Sequence, residues 1–338
     1  ERKAGLSPVI SNLFGLYGNF TYELKRKLKD YLSTTGIKKI ICTYDKIDKL
    51  VEFINPKEFK LLIDEYHNFL KQYSFRNKAI DGVLAHFKEF KSYCFISATP
   101  IPEVFKPTIF NGIPEHIADW NEVDDITVYP YHTDKPYMIA AQFIKVYQTK
   151  GFLNVNGKES KEAYFFINSV TEIKAILKQT QLTEDDYRII CADNNKNRMT
   201  LKGYTISSST DTPKKFNFIT SKSFEGVDFH SESGICFVVS NVQNRHTLVS
   251  IDMDIPQIAG RIRTKTNPFR NKIVHIFNTK PTDHYTTYEE MEHIVQDEIK
   301  AAQERADLLN SSNLSESAIK QQVSEIHKIG NESYLSYQ

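Results

Sequence analysis

Residues 61–70 read LLIDEYHNFL, where three apolar residues run directly into Asp64 and Glu65, and His67 follows two places later. A short apolar run of this kind is typical of a buried strand. Open α/β sheets bind their ligands at the carboxyl ends of such strands. One carboxylate could then hold Mg²⁺ while the other orients a water molecule. A solvated strand end is the simpler interpretation of this segment alone, so other segments have to decide.

The composition is that of an ordinary globular protein. The chain has 338 residues, which predicts two domains, and it is 40% hydrophobic and 25% charged. With a net charge of +1 and a pI near 7.8, no global positive field indicates a nucleic-acid partner. No apolar run approaches the roughly 20 residues that cross a bilayer, so no membrane partner is expected. The four cysteines form no C-x-x-C pair, which predicts reduced thiols in a cytoplasmic compartment.

Short β-branched or aromatic runs alternate with helical patterns along most of the chain, which is typical of α/β architecture. Several runs are apolar on both faces, as in the central strands of a parallel sheet. The predicted strands are 38–44, 60–64, 93–97, 126–131, 163–168, 187–192, 216–221, 234–240 and 272–278. Helical patterns cover 21–33, 77–91, 134–149 and 170–179.

Two changes in character divide the chain. A proline-rich stretch near residues 100–125 breaks any regular element and separates segment 1–120 from segment 121–281. Segment 282–338 contains two helical patterns, a long amphipathic one over 286–310 and a second over 313–330. We therefore predict two α/β domains followed by a helical C-terminal extension, which could bind nucleic acid, bind a protein partner or simply brace the core.

Two further strands end in residues suited to a binding site. CFISATP (94–100) places the hydroxyls of Ser97 and Thr99 after a strand, where they could bond a carboxylate or a phosphate. FNFITSKSFEGVDF (216–229) ends a strand at Thr220 and then offers Gly226 and Asp228. Glycine permits close approach of the backbone to a ligand, and Asp228 could accept a hydrogen bond from a ribose hydroxyl. Plain turns explain both segments individually.

The segment IPQIAGRIRTKTN (255–267) predicts a helix that begins near Pro256 and carries Gln257, Gly260, Arg261 and Arg263. Guanidinium groups that face a crevice can stabilise the charge of a transferring phosphoryl group. A solvated basic face is the usual explanation of an Arg-x-Arg pattern on a helix.

Taken together, the order and spacing of these segments are specific. DEYH at 64–67, SAT at 97–99, EGVD at 225–228 and Q-x-x-G-R-x-R at 257–263 follow one another as in superfamily 2 helicases. The chain resembles the DEAH-like branch of that family over about residues 5–280. The resemblance implies two tandem RecA-like parallel-sheet lobes, the first one incomplete, that hydrolyse ATP between them and carry nucleic acid across both.

In such proteins, the residues that match the first motif act on the nucleotide. The resemblance implies that Asp64 holds Mg²⁺ and that Glu65, also close to the metal, is the catalytic base for the attacking water. His67 would face Gln257 across the cleft and couple the nucleotide to the nucleic acid.

The hydroxyl residues would have two different roles by the same resemblance. Ser97 and Thr99 would link hydrolysis to movement of the lobes. Thr43, in the segment IICTYDKIDKLVEFI (40–54), and Thr220 would contact the nucleic-acid backbone.

On the second lobe, the resemblance places Gly226 and Asp228 near the ribose, Gly260 near the nucleotide, and Arg261 and Arg263 as candidate arginine fingers. The commonest family pattern has an arginine three places after Arg261, where this chain has a threonine. The GR-x-R spacing is similar to that of the Dicer and viral-RNA-sensor helicases, and Arg263 is our preferred finger.

The chain departs from the family at its start. The phosphate-binding loop G-x-x-x-x-G-K-[ST], which holds the β- and γ-phosphates, is absent before Asp64. Since the first methionine is Met138, we expect that a preceding segment with this loop belongs to the natural protein. The 338-residue chain alone is then expected to bind ATP poorly and to be inactive.

The leading hypothesis is an ATP-dependent helicase or translocase that acts on single- or double-stranded DNA or RNA. The alternatives are a non-catalytic scaffold or clamp that keeps the two lobes, and the motor subunit of a larger restriction or replication assembly. Abundant Lys, Asn, Ile, Tyr and Phe suggest an AT-rich genome, as in some viruses or phages.

Overall fold

The computed structural model describes residues 12–101, 103, 106–118, 125–224, 226–280, 287–322, 327–329 and 332–334. The chain divides into two compact units. The first unit comprises Glu1–Pro114 together with His284–Gln338, and the second unit comprises Glu115–Asp283. The C-terminal residues thus group with the first unit.

Helices and strands alternate through both units. The helices are α1 (Tyr22–Ser33), α2 (Ile47–Val51), α3 (Asn68–Lys71), α4 (Tyr73–His86), α5 (Pro136–Lys150), α6 (Val170–Thr180), α7 (Asn195–Thr200), α8 (Asp254–Ala259), α9 (Tyr288–Asn310) and α10 (Glu316–Gln322). The strands are β1 (Leu13–Leu16), β2 (Lys39–Cys42), β3 (Lys60–Asp64), β4 (Ser92–Ile96), β5 (Thr127–His132), β6 (Leu153–Val155), β7 (Lys158–Ser160), β8 (Glu162–Phe166), β9 (Tyr187–Ile190), β10 (Phe216–Ile219), β11 (Gly234–Val239), β12 (Lys272–Phe277), β13 (His327–Ile329) and β14 (Glu332–Tyr334).

The second unit is built on a six-stranded sheet in the order β5-β12-β11-β8-β10-β9. Every neighbouring pair of these strands is parallel. Strands β9, β10 and β11 are buried along their whole length, as expected for parallel strands that helices cover on both faces. The predicted α/β fold with a parallel, RecA-like sheet is confirmed.

Two apolar clusters cover the two faces of this sheet. On one face, Phe165, Phe218 and Phe237 pack with Ile144 of α5 and Ile173 of α6. On the other face, the alternate residues of the same strands pack against α8; these include Phe166, Ile219, Val238, Ile255 and Ile258. The carboxyl ends of the strands therefore lie along one edge, where side chains from several loops can meet.

The first unit contains two parallel pairs among its described residues, β1 with β2 and β3 with β4. One face of β3 and β4 packs on a core that includes Leu28, Ile63 and Phe69. The alternate residues Leu62 and Ile96 are 62% and 40% exposed. Within the described residues, β3 and β4 are thus covered on one face, unlike the central strands β9, β10 and β11 of the second unit.

The structure corrects two predictions. The second C-terminal helix ends at Gln322, and two short antiparallel strands, β13 and β14, follow within 313–338. Helix α8 ends at Ala259, before both arginines of the predicted helical motif. Strands β1, β6 and β7 were not predicted from the sequence. The predicted break near 100–125 lies partly outside the described residues. In the described part of the chain, no helix is both long and apolar enough to span a bilayer.

Candidate functional site

The acidic turn after β3, which we define as Asp64–His67, is held in a conformation that is costly for a non-glycine residue. Glu65 has φ 52°, in the left-handed region. The Tyr44 hydroxyl donates to the carbonyl of Asp64 and lies 3.3 Å from that of Glu65. The N–H of Asn68 donates to the Glu65 carbonyl at 3.0 Å. Such strain persists where the surroundings fix the backbone, and it concentrates at functional sites.

The Glu65 side chain carries an unsatisfied acceptor. Its Oε2 atom is buried and has no hydrogen-bond donor within the described residues. His67 Nδ1 lies 3.3 Å from this oxygen, without the geometry of a hydrogen bond. A buried carboxylate oxygen without a donor is costly, so it is uncommon outside sites of function. The acidic turn therefore holds one carboxylate oxygen that accepts no hydrogen bond from the described residues, on a side chain that is 32% exposed.

The hydroxyls predicted at the end of β4 meet the acidic turn. His67 is wholly buried, and its Nδ1 lies 2.7 Å from Ser97 Oγ and 3.4 Å from Thr99 Oγ1. The backbone N–H of Thr99 donates to Ser97 Oγ at 3.0 Å. The structure thus brings Glu65, His67, Ser97 and Thr99 together. A movement of the loop after β4 would therefore change the contacts of the His67 imidazole.

In the second unit, the loop after β10 lies beside the segment after α8. The Phe229 N–H donates to the Arg261 carbonyl at 2.8 Å, and the Arg263 N–H donates to the Phe229 carbonyl at 2.9 Å. These bonds make a parallel bridge between Phe229 and Ile262. Gly260 ends α8, so the following residues can adopt this extended pairing. The pairing explains why Arg261 and Arg263 do not continue the helix.

Arg261 is buried, with 7% of its surface exposed, and it is tied to the protein itself. Its Nε donates to the Gln257 carbonyl at 2.6 Å and its Nη2 to Gln257 Oε1 at 3.2 Å. Its Nη1 donates to the Val227 carbonyl at 3.2 Å. The guanidinium therefore joins α8 to the loop after β10. Gln257 Oε1 accepts from Arg261, and the predicted position of Gln257 facing His67 stays a prediction.

Arg263 is in a different environment, because its side chain is 47% exposed. Its Nε donates to Asp228 Oδ1 at 2.7 Å. Asp228 is 44% exposed at this pair. An exposed arginine beside an exposed carboxylate can reorganise around an anion at little cost to the fold.

The two predicted glycines differ in what the backbone requires. Gly226 has φ 68° and nothing within 4 Å of an added Cβ, so its conformation explains the residue. At Gly260, an added Cβ would lie 3.6 Å from the Pro256 carbonyl oxygen and 3.8 Å from Arg263 Nη1, which are ordinary contacts. Neither protein packing nor backbone conformation demands a glycine at position 260.

A polar pocket of about 500 Å³ lies at the carboxyl ends of β8, β9 and β10. Two lysines, Lys196 and Lys222, and one acid, Glu172, line it. The pocket also borders the first turn of α6, where Ser169 caps the helix by accepting from the Glu172 N–H at 3.4 Å. Helix N-termini and lysines favour anions. This strand-end pocket is therefore suited to a phosphate group.

The predicted nucleic-acid threonines lie in different settings. Thr220 lines the strand-end pocket, and its hydroxyl donates to the Ile190 carbonyl at 3.3 Å. The hydroxyl oxygen of Thr43 is buried just after β2. Contact of either residue with nucleic acid stays a prediction.

Several pocket residues were not found from the sequence. Asn168 follows β8; its side chain donates to the His246 carbonyl at 2.6 Å and accepts from the Ser221 N–H at 3.2 Å. Lys222 donates to the Cys191 carbonyl at 3.4 Å. The available signal was their position directly after predicted parallel strands, where ligand-binding side chains collect.

No family profile matches the sequence, and no curated protein matches it either. Among solved structures, the Mycobacterium smegmatis helicase Lhr, bound to single-stranded DNA and AMP-PNP, is 12% identical, with a TM-score of 0.47. The match covers 79% of this chain and 34% of that helicase, so the chain spans about a third of its length.

Two DEAD-box proteins are also similar. The protein from Methanococcus jannaschii is 13% identical with a TM-score of 0.30, and the match covers 85% of this chain and 70% of that one. The yeast splicing factor Prp28 is 15% identical with a TM-score of 0.27, and the match covers 98% and 69% of the two chains.

These similarities concern the fold alone. The motif series predicted RecA-like lobes with parallel sheets, and the second unit does contain a six-stranded parallel sheet. Membership of the DEAH-like branch stays a prediction. The protein has an α/β fold, and its second unit is built on a six-stranded parallel sheet.

Proposed function

We propose that the protein is a nucleic-acid-dependent ATPase and that its two units form the motor core of a helicase or translocase. The observation that carries this proposal is Glu65, whose strained backbone holds a buried, unsatisfied carboxylate oxygen at a strand end. A general base needs an acceptor oxygen that the protein leaves unused, so that a water molecule can donate to it. Folding alone gives no reason to maintain this arrangement.

Magnesium and ATP fit the residues of the acidic turn. Asp64 and Glu65 offer carboxylate oxygens, which Mg²⁺ prefers. No group of three or more metal-binding side chains occurs among the residues described here. This donor set suits a Mg²⁺ ion held by one or two carboxylates together with phosphates and water. When bound, the ion would neutralise phosphate charge, and Asp64 would be its main protein ligand.

Arg263 is the residue that we propose to stabilise the phosphoryl charge. It is half exposed and contacts the protein through one nitrogen, whereas the guanidinium of Arg261 is buried and bonded to Gln257 and Val227. A finger has to be free to bind phosphate oxygens, and Arg263 meets this condition. We propose that Gly226 and Gly260 allow the nucleotide to approach the backbone on the same unit.

The strand-end pocket is the proposed contact for nucleic acid on the second unit. Lys196, Lys222 and the first turn of α6 would bind a phosphate of the backbone, with Thr220 in the pocket wall. Contacts to phosphate and sugar carry little sequence information, so weak sequence preference is expected. Binding should weaken steeply with salt, since counterions are released.

The test is ATP hydrolysis by the full-length natural protein, measured with and without single-stranded DNA or RNA. The proposal predicts hydrolysis that a strand stimulates, and a loss of more than about a hundredfold in Glu65→Gln. Glu65→Gln should still bind ATP, because the substitution keeps the shape of the side chain. Absence of strand-stimulated hydrolysis in the wild-type protein would contradict the proposal and would favour a scaffold without catalysis.

A further inference from the structure

We infer that Asp228 is a positioning residue: it holds Arg263 by its Nε atom so that the two terminal nitrogens point at an anionic phosphate chain. The inference rests on the proposed function, in which that chain belongs to the nucleotide. It assigns Asp228 a role different from the ribose contact that the motif series implies.

The backbone fixes where both side chains begin. Phe229, next to Asp228, exchanges hydrogen bonds with the backbone of Arg261 and Arg263 at 2.8 Å and 2.9 Å. The two segments therefore move as one body. The side chains keep their rotational freedom. The 2.7 Å hydrogen bond from Arg263 Nε to Asp228 Oδ1 restricts the rotation of the arginine side chain.

The point of attachment matters for what the guanidinium can still do. Arginine presents five N–H donors in a planar fork, and the Nε bond uses one of them. Within the described residues, neither Nη1 nor Nη2 of Arg263 has a partner. The fork suited to bidentate binding of phosphate is therefore open while the side chain is held.

A second pair in the same unit shows the ordinary alternative. Arg198 donates from Nε to Asp193 Oδ1 at 2.6 Å and from Nη2 to Asp193 Oδ2 at 2.8 Å. This two-bond contact uses one edge of the guanidinium on a surface ion pair. The single Nε bond of Arg263 differs, because a carboxylate that gripped the edge would compete with a phosphate.

Stability does not explain the Asp228–Arg263 pair. Both side chains are about half exposed, and exposed ion pairs contribute little to folding. A long arginine side chain that is already ordered, however, loses less freedom when it binds an anion. The benefit then appears as faster phosphoryl transfer.

The two roles for Asp228 predict different kinetics. A ribose contact acts on binding, so its loss would raise KM for ATP and abolish discrimination against 3′-deoxy-ATP. A positioning role acts through Arg263, so its loss would lower kcat to the same extent for ATP and 3′-deoxy-ATP. It would also have no effect once Arg263 is gone.

The experiment is a double-mutant cycle in the full-length protein with saturating single-stranded nucleic acid. We expect Asp228→Ala to lower kcat about three- to fivefold with KM for ATP within about threefold, and Arg263→Ala to lower it about a thousandfold. The double variant should match Arg263→Ala alone. Asp228→Asn keeps an acceptor for Nε and should be intermediate. Asp193→Ala and Arg198→Ala, the matched pair, should leave kcat unchanged.

Additive losses in the cycle, or an effect of Asp228→Ala confined to KM, would overturn the inference. Titration with inorganic tripolyphosphate decides it independently of hydrolysis. Arg263→Ala should weaken tripolyphosphate binding, Asp228→Ala should weaken it by a smaller factor, and the double variant should match Arg263→Ala; unaffected or additive binding overturns the inference. A wild-type protein that binds tripolyphosphate in this way but hydrolyses no ATP would contradict the proposed function and leave the pair supported.

Discussion

The acidic turn of the first unit and the arginine segment of the second, Gln257–Arg263, satisfy their polar groups in opposite ways. In the acidic turn, Glu65 has a left-handed backbone and a buried oxygen without a donor. In the arginine segment, Arg261 donates to three acceptors within the same unit. The acidic turn thus has a strained backbone and an oxygen without a donor, whereas the buried guanidinium of the arginine segment is hydrogen-bonded within its own unit. Arg263 differs, because its side chain is half exposed.

This contrast separates residues that build the site from residues that act in it. Buried polar groups that are fully bonded contribute to folding, whereas an exposed or unsatisfied group is available to a ligand. By this criterion, Glu65 and Arg263 are the acting residues. Arg261 and Gln257 hold the segment in which Arg263 lies.

The largest expected effect is a difference between the two arginines: replacing Arg261 should mainly lower stability, whereas replacing Arg263 should mainly lower the rate of hydrolysis. Arg261→Ala removes three hydrogen bonds that the buried guanidinium donates to Gln257 and Val227, and it should lower the free energy of unfolding by about 3 kcal/mol. Arg263→Ala should lower it by less than about 1 kcal/mol, because its ion pair is exposed. Its hydrolysis rate, by contrast, should fall about a thousandfold. Urea denaturation measures the free energy of unfolding of both variants, and ATPase assays measure their hydrolysis rates.

Equal losses of stability in the two variants would contradict the conclusion that Arg261 is structural and that Arg263 is available to a ligand. Arg198→Ala, another exposed arginine paired with an aspartate, is the control and should change neither quantity appreciably.

A smaller effect is expected at Ser97. Ser97→Ala removes the acceptor of the Thr99 N–H and a close partner of the buried His67, and it should lower the free energy of unfolding by about 1–2 kcal/mol. The exposed Ser33 donates to the Asp30 carbonyl, and Ser33→Ala in the same unit should be nearly neutral. Denaturation of both variants checks the difference. Similar values would mean that the cluster around His67 is not tightly coupled.

Strain at Glu65 predicts a gain of stability on substitution. Glu65→Gly should raise the free energy of unfolding by about 1 kcal/mol, since glycine adopts positive φ without steric cost, while hydrolysis is lost. Gln181 ends α6 with the same φ of 52° and provides a matched control. Gln181→Gly should give a similar gain with hydrolysis retained. A loss of stability in Glu65→Gly would show that the turn is not strained.

The smallest effect concerns pH and the second unit. Burial lowers the pKa of His275, which lies 3.0 Å from Ser240 Oγ and stacks on Phe277. Since the unfolded chain then binds more protons than the folded one, stability should fall as the pH drops below the ordinary histidine pKa of about 6.5.

Unfolding midpoints between pH 7.5 and 5.5 measure this dependence. His275→Gln should reduce it, while the exposed His116→Gln should leave it in place. An unchanged pH profile in His275→Gln would assign the dependence to other groups.

The predicted strands have apolar runs that are buried on both faces in β9, β10 and β11 and on one face in β3 and β4. β3 matches its predicted bounds, 60–64, and β12 lies within 272–278. The hairpin of β6 and β7 was missed although it contains Asn156–Gly157, a pair that strongly favours such a turn. The turn signal was available, but its strands are three residues long, too short for a periodic pattern.

The sequence could predict which residues belong to the site, but it could not predict which of them are buried and structural and which are exposed to a ligand. The resemblance of the motif series selected Glu65, His67, Ser97 and Thr99, whose side chains do lie together. Nothing in Gly-Arg-x-Arg distinguishes the buried arginine from the exposed one, because the distinction arises from the bridge between Phe229 and Ile262. Tertiary pairing of this kind leaves no local signal in the sequence.

The proposed function requires both Glu65 and Arg263 for ATP cleavage. It is tested most directly by the single-turnover rate of ATP cleavage in the full-length protein, measured for wild type, Glu65→Gln, Arg263→Ala and Arg198→Ala. The account predicts losses of more than about a hundredfold in the first two variants, with ATP still bound, and a wild-type rate in the third. A near wild-type rate of cleavage in either Glu65→Gln or Arg263→Ala would contradict it.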